Sequence, residues 1–113
     1  MKENIVKNKS FDFAIRIVRL YQYLSTEKKE FTLSKQLLRS GTSIGAMIRE
    51  AEHAESKNDF IHKFAIAQKE ANESIYWLEL LKATDYLDEK GFKTINEDAI
   101  TILKLVTSIL KTT

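Results

Sequence analysis

Arg39-Ser-Gly-Thr-Ser-Ile-Gly-Ala-Met-Ile-Arg-Glu-Ala51 decides how this chain is read. Gly41 and Gly45 stand four apart among Ser40, Thr42, Ser43 and Ala46, in a segment whose apolar spacing is otherwise helical. A glycine inside a helix costs about 1 kcal/mol relative to alanine. Two in one turn therefore need a physical reason. Small residues at i and i+4 clear a flat strip on which another backbone can lie. The segment predicts close helix–helix packing, and so an all-α fold.

Composition agrees. The chain has 113 residues, no proline, no cysteine and three glycines. That length suits one domain with a modest core. Without proline, the strongest helix breaker is absent. Without cysteine, disulfides, thiolate metal sites and a cysteine nucleophile are excluded. The first ten residues, MKENIVKNKS, have no apolar core of signal-peptide length, and no window is long and apolar enough to span a membrane. A cytoplasmic protein is expected. Charge is unevenly placed. Residues 1–39 hold nine Lys/Arg against four Asp/Glu, and residues 40–113 hold nine against twelve.

Working outward, four helices are predicted, at about 11–25, 33–54, 57–84 and 95–111. The first has Ser10 as candidate N-cap. It carries two apolar stripes, Phe11, Ala14, Ile15, Val18 and Tyr21 on one side and Phe13, Ile17, Leu20 and Leu24 on the other. Two stripes exceed what one bundle core needs. The second helix starts after Thr32. Leu37, Ile44, Ile48 and Ala51 form its core face, and Lys35, Arg39, Thr42, Ala46, Arg49 and His53 fall on the opposite side. Ser56 and Asp59 form a capping box for the third, and Thr94 with Glu97 a second box for the fourth. Connections are short, so the expected architecture is one antiparallel up-down-up-down four-helix bundle domain.

With the helices placed, Ser40–Ala51, Glu55–Phe60, Ala65–Ala71 and Tyr76–Leu81 together resemble the four helix bundle protein family, also called the 23S rRNA-intervening-sequence proteins. Ser43, Ile44, Glu50, Asp59 and Phe60 match its signature positions. Met47 departs from it, because the family often has asparagine there. The resemblance implies an antiparallel four-helix bundle and, for related bundles, a homopentameric ring. It implies no reaction, since the family name records where some of the genes lie. A related bundle, the accessory protein of diversity-generating retroelements, is a basic pentamer that works with nucleic acid. This chain is much less basic.

Candidate chemistry is sparse. Glu50-x-x-His53 and Asp59-x-x-His62 repeat the carboxylate-x-x-His spacing of di-iron bundles. They flank the turn between helices 2 and 3, and no glutamate occupies the core stripe of helix 1 or 4. Solvated or capping roles are expected, with no metal or other cofactor. Ser40 and Ser43 lack a nearby base and read as packing residues rather than nucleophiles. No phosphate loop or dinucleotide fingerprint is present. A non-enzymatic protein is expected. Glu50, Glu70 and Glu73 are either surface groups or a polar network with Arg39 or Gln36. Candidate nucleic-acid contacts are Arg16, Arg19, Lys35, Arg39 and Arg49, with the alternative of an ordinary solvated face. Asp12, four residues before Arg16, is its expected local partner. Tyr76, Trp77 and Phe92, with the second stripe of helix 1, are read as either an oligomer interface or additional core. The expected partner is a further copy of the chain, five by resemblance. Nucleic acid or another protein is the alternative, and a membrane is not expected. Gly41, Ser43, Ile44, Gly45, Glu50, Asp59 and Phe60 make up the helix-packing signature.

Overall fold

The structure is a computed structural model describing residues 1–113. Its helices are α1 (Lys2–Thr26), α2 (Leu33–Glu52), α3 (Lys57–Ala83) and α4 (Glu89–Thr112). α1 and α3 each pack against both α2 and α4, and neither diagonal pair comes together. The result is a square, antiparallel four-helix bundle of 44 × 21 × 18 Å. Its axis is lined by Val6, Phe13, Ile17 and Leu24 of α1, Leu37, Ile44 and Ile48 of α2, Phe64 and Leu78 of α3, and Ile102 and Val106 of α4.

Two helices begin earlier than their local signals indicate. α1 starts at Lys2, not Phe11, and Ser10 is no cap. Its side chain is fully buried, and its hydroxyl donates to the Lys7 carbonyl at 3.0 Å. Val6 extends the inner stripe of α1 by two turns beyond Phe13 and is wholly buried, which ties this added segment to the core. α4 starts at Glu89, because the Asp88 carboxylate accepts from the Gly91 amide at 2.7 Å. Thr94 and Glu97 therefore lie inside the helix, and Thr94 turns outward to accept from Arg16. The ends of α2 and α3 fall within two residues of expectation, the ordinary uncertainty of a helix end. Ser56 does cap α3, accepting from the Asp59 amide at 3.0 Å.

The start of α2 uses an unexpected device. Thr32 occupies the cap position without a side-chain hydrogen bond. The Glu30 carboxylate instead accepts from the amides of Thr32, Leu33 and Ser34 at 3.1, 2.9 and 2.8 Å. The Ser34 hydroxyl returns a bond to the Glu30 carbonyl. One buried carboxylate thus satisfies three amide donors at a positive helix end. Burial pushes the Glu30 carboxyl up, but these donors outweigh it and hold the group below the usual glutamate range.

α3 ends in a Schellman motif. The Tyr86 amide donates to the Leu81 carbonyl at 2.9 Å, and the Asp85 amide to Lys82 at 3.1 Å. Asp85, at φ 69°, holds the left-handed position usually given to glycine.

Candidate interaction surface

The glycines of α2 face α1. A Cβ on Gly41 would lie 2.8 Å from Ile17 Cγ1, and one on Gly45 would meet Ser10 Oγ at 3.4 Å and its carbonyl oxygen at 3.5 Å. On the opposite flank of α2, Ser40 and Ser74 bring their hydroxyls to 2.9 Å in the buried contact with α3. Ile44 is fully buried between these two contacts. Ser43 donates to the Arg39 carbonyl, satisfying its hydroxyl within the helix. These positions build the α1–α2–α3 corner and leave the remaining face of α2 open.

The remaining signature residues surround the α2–α3 turn. Glu50 pairs with Lys63 at 3.0 Å. The Asp59 carboxylate accepts from the Glu55 amide, and Phe60 packs against Phe64 with ring centroids 4.7 Å apart. Met47 is half-buried against the core. His53 and His62 are exposed, and no three His, Asp or Glu side chains cluster as metal ligands do. Beside the turn, a cleft of about 510 Å³ has Ile48, Ala51, Phe60 and Phe64 among its walls. Its polar walls are Glu3, Asn4, Lys7, Glu52 and Ser56, and the Ser56 hydroxyl is the one that caps α3.

The five candidate phosphate contacts do not gather into one patch. Arg16 reaches across to Asp98 and Thr94 of α4 rather than to Asp12. Arg39 turns the other way and binds Glu70 at 3.0 Å and Glu73 at 2.7 Å on α3. Arg39, and then the Trp77 indole, hold the Glu73 carboxyl below its usual range. Arg49 lies over the Phe11 ring, its guanidinium carbon 5.1 Å from the centroid. Arg19 and Lys35 are exposed and make no ion pair. Only Arg19, Lys35 and Arg49 therefore keep uncompensated charge.

The outer face of α1 is open and apolar. Phe11, Ile15 and Val18 are 51%, 42% and 39% exposed, at a spacing that places them on one side of the helix. Phe13, Ile17 and Leu24 fill the core from the inner side. The bundle needs one of the two stripes and leaves the other bare.

The model of the family described as 23S rRNA-intervening sequence protein matches residues 2–108. The chain belongs to this family. It is also similar to a solved structure, a protein with unknown function from the S23 ribosomal protein family of Bacteroides thetaiotaomicron. The identity is 59%, the match covers 98% of this chain and 99% of that one, and the TM-score is 0.97. No curated protein matches. In this 23S rRNA-intervening sequence family member, the Gly41–Gly45 segment builds the helix contact and the bare α1 stripe lies next to it. No helix is long and apolar enough to cross a membrane.

Proposed function

We propose that this chain is a non-catalytic assembly protein, a homo-oligomer that acts in the cytoplasm as a scaffold or accessory factor. The observation that carries the reading is the exposed stripe of Phe11, Ile15 and Val18 on α1. A contiguous apolar strip on a regular helix is a typical association surface. Five copies are what the family resemblance implies. The test is solution mass by light scattering at micromolar concentration. A multiple of the 13.1 kDa chain is expected, and a stable single-chain mass would overturn the reading. Substituting Ile15 by glutamate should dissociate the assembly without loss of helical signal.

A second reading is an RNA- or DNA-binding module using the α1–α2 surface. Arg19, Lys35 and Arg49 favour it, because none is paired with a carboxylate. The internal pairing of Arg16 and Arg39 weighs against it. Phosphate binding draws on uncompensated cations, and here two of the five are compensated.

A further inference from the structure

The cleft beside the α2–α3 turn owes its shape to the helix ends around it. α1 and α2 lie close at Gly41 and Gly45, against Ile17 and Ser10. α2 then stops at Glu52, while α1 runs on to Lys2 and α3 begins only at Lys57. At its first turn α1 reaches α4 instead, where the Lys2 ammonium donates to the Ser108 hydroxyl at 2.6 Å. Ala51 and Ala54 wall the space that is left, and their side chains are too short to fill it. Its volume of about 510 Å³ falls within the range of about 300–1,000 Å³ usual for small-molecule sites.

The walls divide by chemistry. Inside, Ile48, Ala51 and Phe64 are buried, and Phe60 stands half-buried beside Phe64. The charged residues are Glu3, Lys7 and Glu52. Lys7 Nζ joins Glu52 Oε2 at 2.9 Å, and this bond is the main cause holding the Glu52 carboxyl below its usual range. Glu3 makes no ion pair. Arg49 and His53 also act on Glu52, but Arg49 lies over Phe11, His53 is exposed, and neither lines the cleft. The cleft therefore sets two carboxylates against one ammonium, beside an apolar wall.

We propose that this cleft binds a small amine with an apolar body. The hydrocarbon part lies against Ile48, Phe60 and Phe64, and the ammonium joins Glu3 and Glu52. A second cation is what the charged residues lack. A carboxylate ligand would add a third anion beside a single Lys7, and like charges at close range repel. An uncharged ligand would leave Glu3 without a partner. The site is separate from the proposed assembly surface, because Phe11, Ile15 and Val18 contribute nothing to its walls.

Saturation-transfer NMR on the whole protein tests this with three probes, phenethylamine, phenylacetate and ethylamine. Phenethylamine should bind saturably. Phenylacetate reverses the charge and ethylamine lacks the body, so both should bind more weakly. Two variants locate the probe, with an unchanged far-ultraviolet helical signal as the check on folding. Ala54→Leu puts a larger side chain into the wall and should abolish binding. Glu3→Gln changes an exposed residue and should weaken phenethylamine about fivefold, the upper worth of one exposed ion pair. Three results overturn the proposal: no saturable transfer from phenethylamine at millimolar concentration, tighter binding of phenylacetate, or unchanged affinity in Glu3→Gln. Equal binding by a folded Ala54→Leu variant and the parent would place the amine elsewhere on the surface and overturn it as well.

Discussion

A Cβ added at Gly41 would sit 2.8 Å from Cγ1 of Ile17, closer than real side chains approach one another. Ile17 is fully buried and β-branched, so it has little freedom to yield. Gly41→Ala should therefore destabilise the bundle by about 1–3 kcal/mol through overpacking, despite the better helix propensity of alanine. Gly45→Ala meets Ser10 only at ordinary contact distance and should be neutral or stabilising by up to about 1 kcal/mol. Thermal melts of the two variants check the contrast, and equal behaviour would contradict it.

The Glu30 carboxylate predicts an acid dependence. Its folded pKa is lowered, so its contribution is complete above the unfolded value and is lost as pH falls through the folded one. Glu30→Gln should cost about 1–2 kcal/mol at pH 7, by weakening a helix cap and removing its charge. The gap between parent and variant should begin to narrow as pH falls through the ordinary glutamate range, about 4.3, and should close once the folded carboxylate itself protonates. Denaturant titrations from pH 7 to pH 3 measure it. A gap that stayed constant would mean that the charge is irrelevant.

Asp85 adopts φ 69° to close α3. Its amide, not its side chain, makes the bond to Lys82. Asp85→Gly should keep that bond, relieve the left-handed conformation and stabilise by about 0.5–1 kcal/mol. Asp85→Val should destabilise, because β-branching opposes positive φ. Midpoints in urea at unchanged m-value would show both effects.

Nucleic-acid binding should be absent at about 150 mM salt and tens of micromolar protein, because two of the five candidate phosphate contacts, Arg16 and Arg39, already pair with carboxylates. A gel-shift titration decides this. Should a shift occur, replacing Arg19, Lys35 and Arg49 with glutamine ought to weaken it and flatten its salt dependence. Arg16→Gln would then have a smaller effect on binding, since Arg16 is already engaged by Asp98.

Much of the architecture was legible because helical periodicity and glycine placement are local signals with one dominant physical cause. The Ser56–Asp59 cap, the core face of α2 and the surplus stripe of α1 could all be read from spacing. Ser10 misled because serine favours caps in isolation, whereas here Gly45 leaves room to bury it within the helix. The continuation Val6, Ser10, Phe13, Ile17 was the signal that would have extended α1. Thr94 and Glu97 misled because a capping-box pattern is short, and Asp88 begins the helix more than a turn earlier. Arg16 was matched to Asp12 along its own helix, while its partner Asp98 lies 82 residues away. Partners across helices depend on register, which spacing within one helix does not encode. The Arg39–Glu70–Glu73 network was foreseeable as one of two alternatives, and the packing of α2 on α3 brought it together.

The nitrogen of Lys2 touches the hydroxyl of Ser108, so the first and last helical turns share one end of the square. The order in which the four helices are strung is thus separable from the way they sit. A circularly permuted chain that begins at Glu55, runs through α3 and α4, and crosses a short flexible linker into α1 would keep every helix beside its present neighbours. The break would fall in the exposed turn before Ser56 and leave the α3 cap intact. Covalent sequence, in this bundle, chooses one starting corner on a circuit that has several.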